Sequence, residues 1–221
     1  MPTPSRSHLV PVSTRRATLV AQLILLPLTA CLPYTVGSTA QTVPAGETTH
    51  STSAYFIPNG ISLDDTVAAP LGGANYEYRH GLDARSDVAV RFLPGGATAN
   101  YKRRLGHDTS HVRSAVAILA GGGIVNGGEH FLMEGTVMAS GREDVPISPY
   151  GGVRAMHVVP ITQGAVRDTP TIGVFGGLNI GDRWFSVRPE LGVYYDHSAL
   201  GLRRGDLLLV PAITLMRSRR R

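Results

Sequence analysis

Few residues in this chain are spaced for covalent chemistry. Asp196-His197-Ser198 holds the three residue types of a hydrolytic triad, but consecutive side chains on an extended strand point to opposite faces. His197 could take a proton from Ser198 only where the strand has already ended, so the tripeptide reads as a loop tip. Eight histidines are scattered along the sequence. His107 and His111 could meet across a turn, and His130 and His157 could line one end of a closed sheet. Neither pair has a third ligand at a suitable spacing for a metal. No phosphate loop, zinc motif or nucleophile elbow is present. Gly121-Gly122-Gly123 has no helix after it and reads as a turn or bulge at a strand end. The expectation is a chain with no catalytic residues, no metal and no cofactor.

The single cysteine excludes an intrachain disulfide and calls for another reason to be present in an exported chain. Its context supplies one. Arg6, Arg15 and Arg16 precede an uncharged, mostly apolar run over 17–30, the layout of a secretion signal. The run ends in Leu28-Thr29-Ala30-Cys31, which resembles the lipobox of bacterial lipoproteins. That resemblance implies cleavage before Cys31 and a diacylglycerol on its thiol. Leu32, where an Asp would retain the protein at the inner membrane, implies the outer membrane as destination. An ordinary leader cut after Ser38-Thr39-Ala40 is the other reading. The expected organisation is a signal peptide over 1–30, a flexible tether over 31–47 rich in Thr, Ser, Gly and Pro, a β domain over 48–216 and a basic tail over 217–221.

The β domain follows from period-2 alternation between Gly, Pro, Asn and Asp clusters. Ala74, Tyr76 and Tyr78 oppose Asn75, Glu77 and Arg79. Val88, Val90 and Phe92 oppose Asp87, Ala89 and Arg91. Phe185, Val187, Leu191, Val193 and Tyr195 oppose Ser186, Arg188 and Glu190. Weaker copies give a total of about ten strands, between about 8 and 12. Short polar links such as Pro94-Gly95-Gly96 favour antiparallel, up-and-down pairing into an all-β barrel. Twenty-six glycines and 15 prolines suit many turns.

The alternation sorts charge. Glu77, Arg79, Arg91, Lys102, Arg104, Arg113, Glu134, Arg154, Arg188 and Glu190 fall on polar faces, whereas the apolar faces are almost uncharged. An arginine facing lipid at mid-membrane costs about 2–4 kcal/mol, so a membrane barrel requires such sorting and would keep these side chains paired in its lumen. Tyr76, Tyr78, Tyr101, Trp184, Phe185, Tyr194 and Tyr195 lie near segment ends, as interfacial aromatics do. In these segments the chain resembles the small outer-membrane β-barrel proteins of Gram-negative bacteria. It departs from them in ending Leu215-Met216 followed by arginines, where many carry a terminal aromatic.

The leading expectation is therefore a non-enzymatic outer-membrane lipoprotein barrel with a charged lumen and a structural, adhesive or scaffolding role. Its partners would be outer-membrane lipid, through acylated Cys31 and the barrel surface. The net charge of +5 sits partly in the leader and tail, which leaves little argument for nucleic acid. A soluble, lipocalin-like lipoprotein with an apolar cavity is the alternative, and an outer-membrane lipid hydrolase comes third.

Overall fold

The computed structural model describes residues 32–62, 68–106, 114–163, 170–196 and 206–218. Ten strands account for most of them: β1 (Thr48–Ser62), β2 (Ala68–Gly81), β3 (Ser86–Leu93), β4 (Gly96–Arg104), β5 (Ala115–Val125), β6 (His130–Ser140), β7 (Ile147–Pro160), β8 (Thr171–Gly181), β9 (Phe185–Asp196) and β10 (Asp206–Ser218). Every pairing is antiparallel between sequence neighbours, and β1 pairs with β10 to close the barrel. Closure runs from Thr49 opposite Ser218 to Tyr55 opposite Ala212, so no edge strand is left open. A transmembrane strand tilted by about 45° needs about 9–11 residues to cross a bilayer core. Eight of the ten strands have 11 or more, while β3 and β4 have 8 and 9.

Because the strands alternate in direction, the two ends of the barrel are distinct. β1 starts and every even-numbered strand finishes at what we term the terminal end. Odd-numbered strands finish at the far end.

Alternation maps onto the barrel wall, with one register shift in the β1–β2 pairing between Ile57 and Ile61. In β6 the burial alternates at every residue, with His130, Leu132, Glu134, Thr136, Met138 and Ser140 inside. Val88, Phe92 and Leu191 point outward at 36%, 52% and 48% exposure, and Val187 is half-buried on the same face. The apolar faces therefore do not converge on an interior, which removes the lipocalin-like arrangement. Exposed Tyr76, Tyr78, Tyr101 and Phe185 lie toward the terminal end, and Phe92, Phe131 and Tyr195 toward the far end. Tyr194 differs from its expected place among them: it is fully buried inside, as the alternation with Tyr195 requires.

Three further expectations change. Gly121, Gly122 and Gly123 form no turn; they lie inside β5, paired with β4 and β6 in continuous register. A Cβ on Gly123 would stand 2.1 Å from the Ala97 carbonyl oxygen, so these glycines let strands approach closely. Of the stretch expected to be a flexible tether over 31–47, residues 32–43 are buried within the barrel. Arg217 and Ser218, read as part of a tail, continue β10, where Arg217 pairs with His50 and Phe185.

Candidate functional site: the occupied lumen

Inward-facing side chains form a charged patch and two apolar clusters, one of them made by Ala115, Ala117, Leu119, Met138, Tyr150 and Phe175 around Val36 and Ala40. Ile57, Leu71, Leu93, Val125, Leu132, Met156, Val158, Leu208 and Val210 form the other, toward the far end. Leu93 and Val125 are the last residues of β3 and β5, which fixes that location. Closer to the terminal end the wall carries six buried cations, Arg79, Arg91, Lys102, Arg104, Arg154 and Arg188. Four buried anions accompany them: Glu77, Asp87, Glu134 and Glu190.

Most of these charges form one chain of contacts. Arg154 pairs with Glu134, and Glu134 stands 3.8 Å from Arg91. Arg91 reaches Glu77 at 2.8 Å, and Glu77 reaches Arg79 at 2.9 Å. Arg79 then pairs with Asp87, whose other oxygen lies 3.4 Å from Lys102. Such a series ties strands together across the lumen, because every link except Glu77–Arg79, both on β2, joins different strands. Removing one member would leave a buried charge uncompensated, at a cost of about 3–5 kcal/mol.

The N-terminal segment threads this lumen from end to end. Leu32 and Tyr34 sit in the far-end apolar cluster, where the Tyr55 hydroxyl donates to the Leu32 carbonyl. The Tyr34 ring lies edge-on to Tyr55 and Tyr194, with centroids 6.1 and 5.8 Å apart. At the other extremity Ala45 bridges Gly81, the last residue of β2, before the chain turns into β1. The segment thus enters at the far end and leaves at the terminal end.

What holds it is recognition of its backbone. Glu190 accepts hydrogen bonds from the Val36 and Gly37 amides at 2.9 and 3.0 Å and from the Thr35 hydroxyl at 3.0 Å. Tyr150 donates to the same carboxylate at 3.1 Å. Arg154 donates to the Pro33 and Thr35 carbonyls. Arg188 donates to the Gly37 carbonyl at 3.1 Å, and Lys102 to the Thr39 and Gln41 carbonyls at 3.1 and 2.6 Å. The Val43 amide donates to Asp87 at 3.0 Å. In a lumen too narrow for bulk water, wall cations meet carbonyls and wall anions meet amides, which satisfies both partners.

Gly37 makes the passage fit. Its φ of +60° is a left-handed conformation that L side chains rarely adopt. A Cβ there would also stand 2.6 Å from Thr214 Oγ1 and 2.9 Å from Ser53 Oγ. The space left over is small. A cavity of about 60 Å³ remains between the segment and the wall at the terminal end, beside Arg79, Lys102 and Arg188. That holds a few waters and no larger ligand.

No family model matches this chain, and no curated protein matches it. Solved structures do. An outer membrane channel from Pseudomonas putida F1 is 11% identical, with 81% of this chain and 98% of that chain covered and a TM-score of 0.49. The Yersinia pestis outer membrane protein Ail is 12% identical over 79% of this chain and 99% of that one, with a TM-score of 0.37. OprG from Pseudomonas aeruginosa is 9% identical over 82% and 97%, with a TM-score of 0.31. The likeness is one of barrel architecture. No activity follows from it.

Of the lumen residues singled out in the sequence, Glu77, Arg79, Arg91, Lys102, Arg104, Glu134, Arg154, Arg188 and Glu190 are buried inside the barrel. Arg113 lies outside the described residues, as do Cys31, the leader, His107, His111, His197 and Ser198. Asp87 belongs to the wall's charge chain and was legible from its place opposite Val88. His130 faces inward and His157 lies on the opposite parity of its strand, so the two do not share a face. No group of three metal-binding side chains occurs among the described residues.

Proposed function

We propose that this chain is a non-enzymatic outer-membrane β-barrel with a structural or scaffolding role, closed in its resting form by its own N-terminal segment. The observation that carries the reading is the outward face. Large apolar side chains are exposed on every strand whose side chains are described, from Phe56 on β1 to Leu215 on β10. Water-soluble monomers rarely expose contiguous apolar patches beyond a few hundred Å². Lipid is the solvent that such a belt fits, with aromatics at both margins and charge inside.

Acylation of Cys31 is a second anchor in this reading. Several chains hold stably where one does not.

Membrane fractionation of wild-type and Cys31→Ser proteins tests both parts. The belt predicts that Cys31→Ser stays in the outer-membrane fraction through a high-pH wash. Release of the variant as a soluble, folded protein would defeat the barrel reading. Metabolic labelling with a fatty acid should mark the wild type and not Cys31→Ser; label that survives the substitution would defeat the anchor.

A further inference from the structure

We infer that residues 32–43 are a withdrawable plug, and that the barrel behind it is an anion-preferring pore. This goes beyond the closed barrel proposed above and rests on that barrel spanning a membrane.

Three observations carry it. First, the wall does not depend on the segment for closure. β1 pairs with β10 from Thr49 onward, and the segment's one bridge to a strand is at Ala45. Withdrawing residues 32–43 therefore breaks no strand pairing. Second, the segment passes through the whole lumen as a single uncharged strip, Leu32 to Val43. What it vacates is a continuous passage about one extended chain wide, from the apolar far end to the Arg79 and Lys102 zone. Third, the segment carries no charge of its own; four wall cations, Arg91, Lys102, Arg154 and Arg188, bond to its carbonyls, while three carboxylates, Asp87, Glu143 and Glu190, bond to its amides and hydroxyls. With the carbonyls gone, the same donors would face the passage. Rings of arginine and lysine are how protein pores select anions.

Glu190 is the residue through which to loosen the plug. Its carboxylate accepts from two backbone amides and a hydroxyl of the segment, and no strand pairing passes through its side chain. Glu190→Gln weakens these charge-assisted bonds while keeping the size of the side chain.

The test is single-channel recording in planar bilayers under a potassium chloride gradient. Flotation of the same preparations with liposomes shows separately whether each protein has inserted. Inserted wild type should be almost silent. Inserted Glu190→Gln should open about tenfold more often, as loss of one charge-assisted contact implies. Its reversal potential should lie on the chloride side of zero. A deletion of 32–43 should conduct steadily, and adding a peptide of sequence 32–43 should close it again. Inserted Glu190→Gln that stays as silent as the wild type overturns the inference, whether or not the deletion folds. So does an inserted deletion without conductance, or a preference for potassium in either variant. Preparations that fail to float reject the membrane-spanning reading, and the inference falls with it.

Discussion

Glu134 shows what a single residue does here. It pairs with Arg154 and stands near Arg91, so its loss leaves Arg154 without its carboxylate while Arg91 keeps Glu77. Glu134→Ala should destabilise the folded barrel by about 3–5 kcal/mol, measured by denaturant titration in liposomes. Arg142 and Asp144 form a comparable pair in the connection after β6, but in solvent. Arg142→Ala should leave stability unchanged in the same titration, because water screens that pair. Connections at the terminal end also carry a pH signature. The Asp83 carboxyl accepts from the Ser86 hydroxyl and the Arg85 amide, and these bonds hold its pKa below the ordinary aspartate value. A lowered carboxyl pKa stabilises the turn above the unfolded-state value, and that contribution disappears as pH falls through the folded-state value. NMR titration of the Asp83 side-chain carboxyl should give a midpoint below that of aspartate in a model peptide. A midpoint at or above it would remove the turn bonds as the cause.

At the scale of elements, strands and their faces were legible because one physical rule generates both. Val88 outside and Asp87 inside follow from parity, and so does Tyr194, which only its neighbourhood with Tyr195 obscured. The glycine run in β5 was not legible. Three consecutive glycines supply no side chains to alternate, so the pattern lapses where the strand continues. The 32–43 segment was illegible for a related reason. It is buried on all sides, so no polar face alternates with an apolar one, and its partners are one or two residues on each of β1, β3, β4, β7 and β9. Thr and Ser suited a tether and equally suited a strip that must bond to a polar wall. The β5 glycines give a paired prediction. Gly123→Ala places a Cβ 2.1 Å from the Ala97 carbonyl oxygen and should cost about 1–3 kcal/mol by strand displacement. Gly135→Ala, on β6 with no atom within 4 Å of its Cβ position, should stay within about 0.5 kcal/mol of the wild type. Equal effects in the denaturant titration would mean that β5 does not need its close approach to β4.

For the whole molecule, the question is what lies against the belt. Charge inside and apolar side chains outside invert the arrangement of a water-soluble domain, so the stability of the barrel depends on its surroundings more than on a packed core. Leu191, midway along β9 and 48% exposed, tests this without touching the lumen. Its neighbours across the sheet are Pro211 and Gly176, so no charged side chain stands ready to pair with a newcomer. If lipid covers the belt, Leu191→Arg brings a guanidinium into hydrocarbon and should lower folding stability in liposomes by about 2–4 kcal/mol. The cost should shrink for the same substitution at Phe185, which begins β9 beside Trp184 at the terminal end, because an arginine there can reach the headgroups. Water outside would make both substitutions nearly neutral. A second protein covering the belt would make their costs follow that contact and not depth. A graded loss, large at Leu191 and small at Phe185, is the outcome that identifies a bilayer.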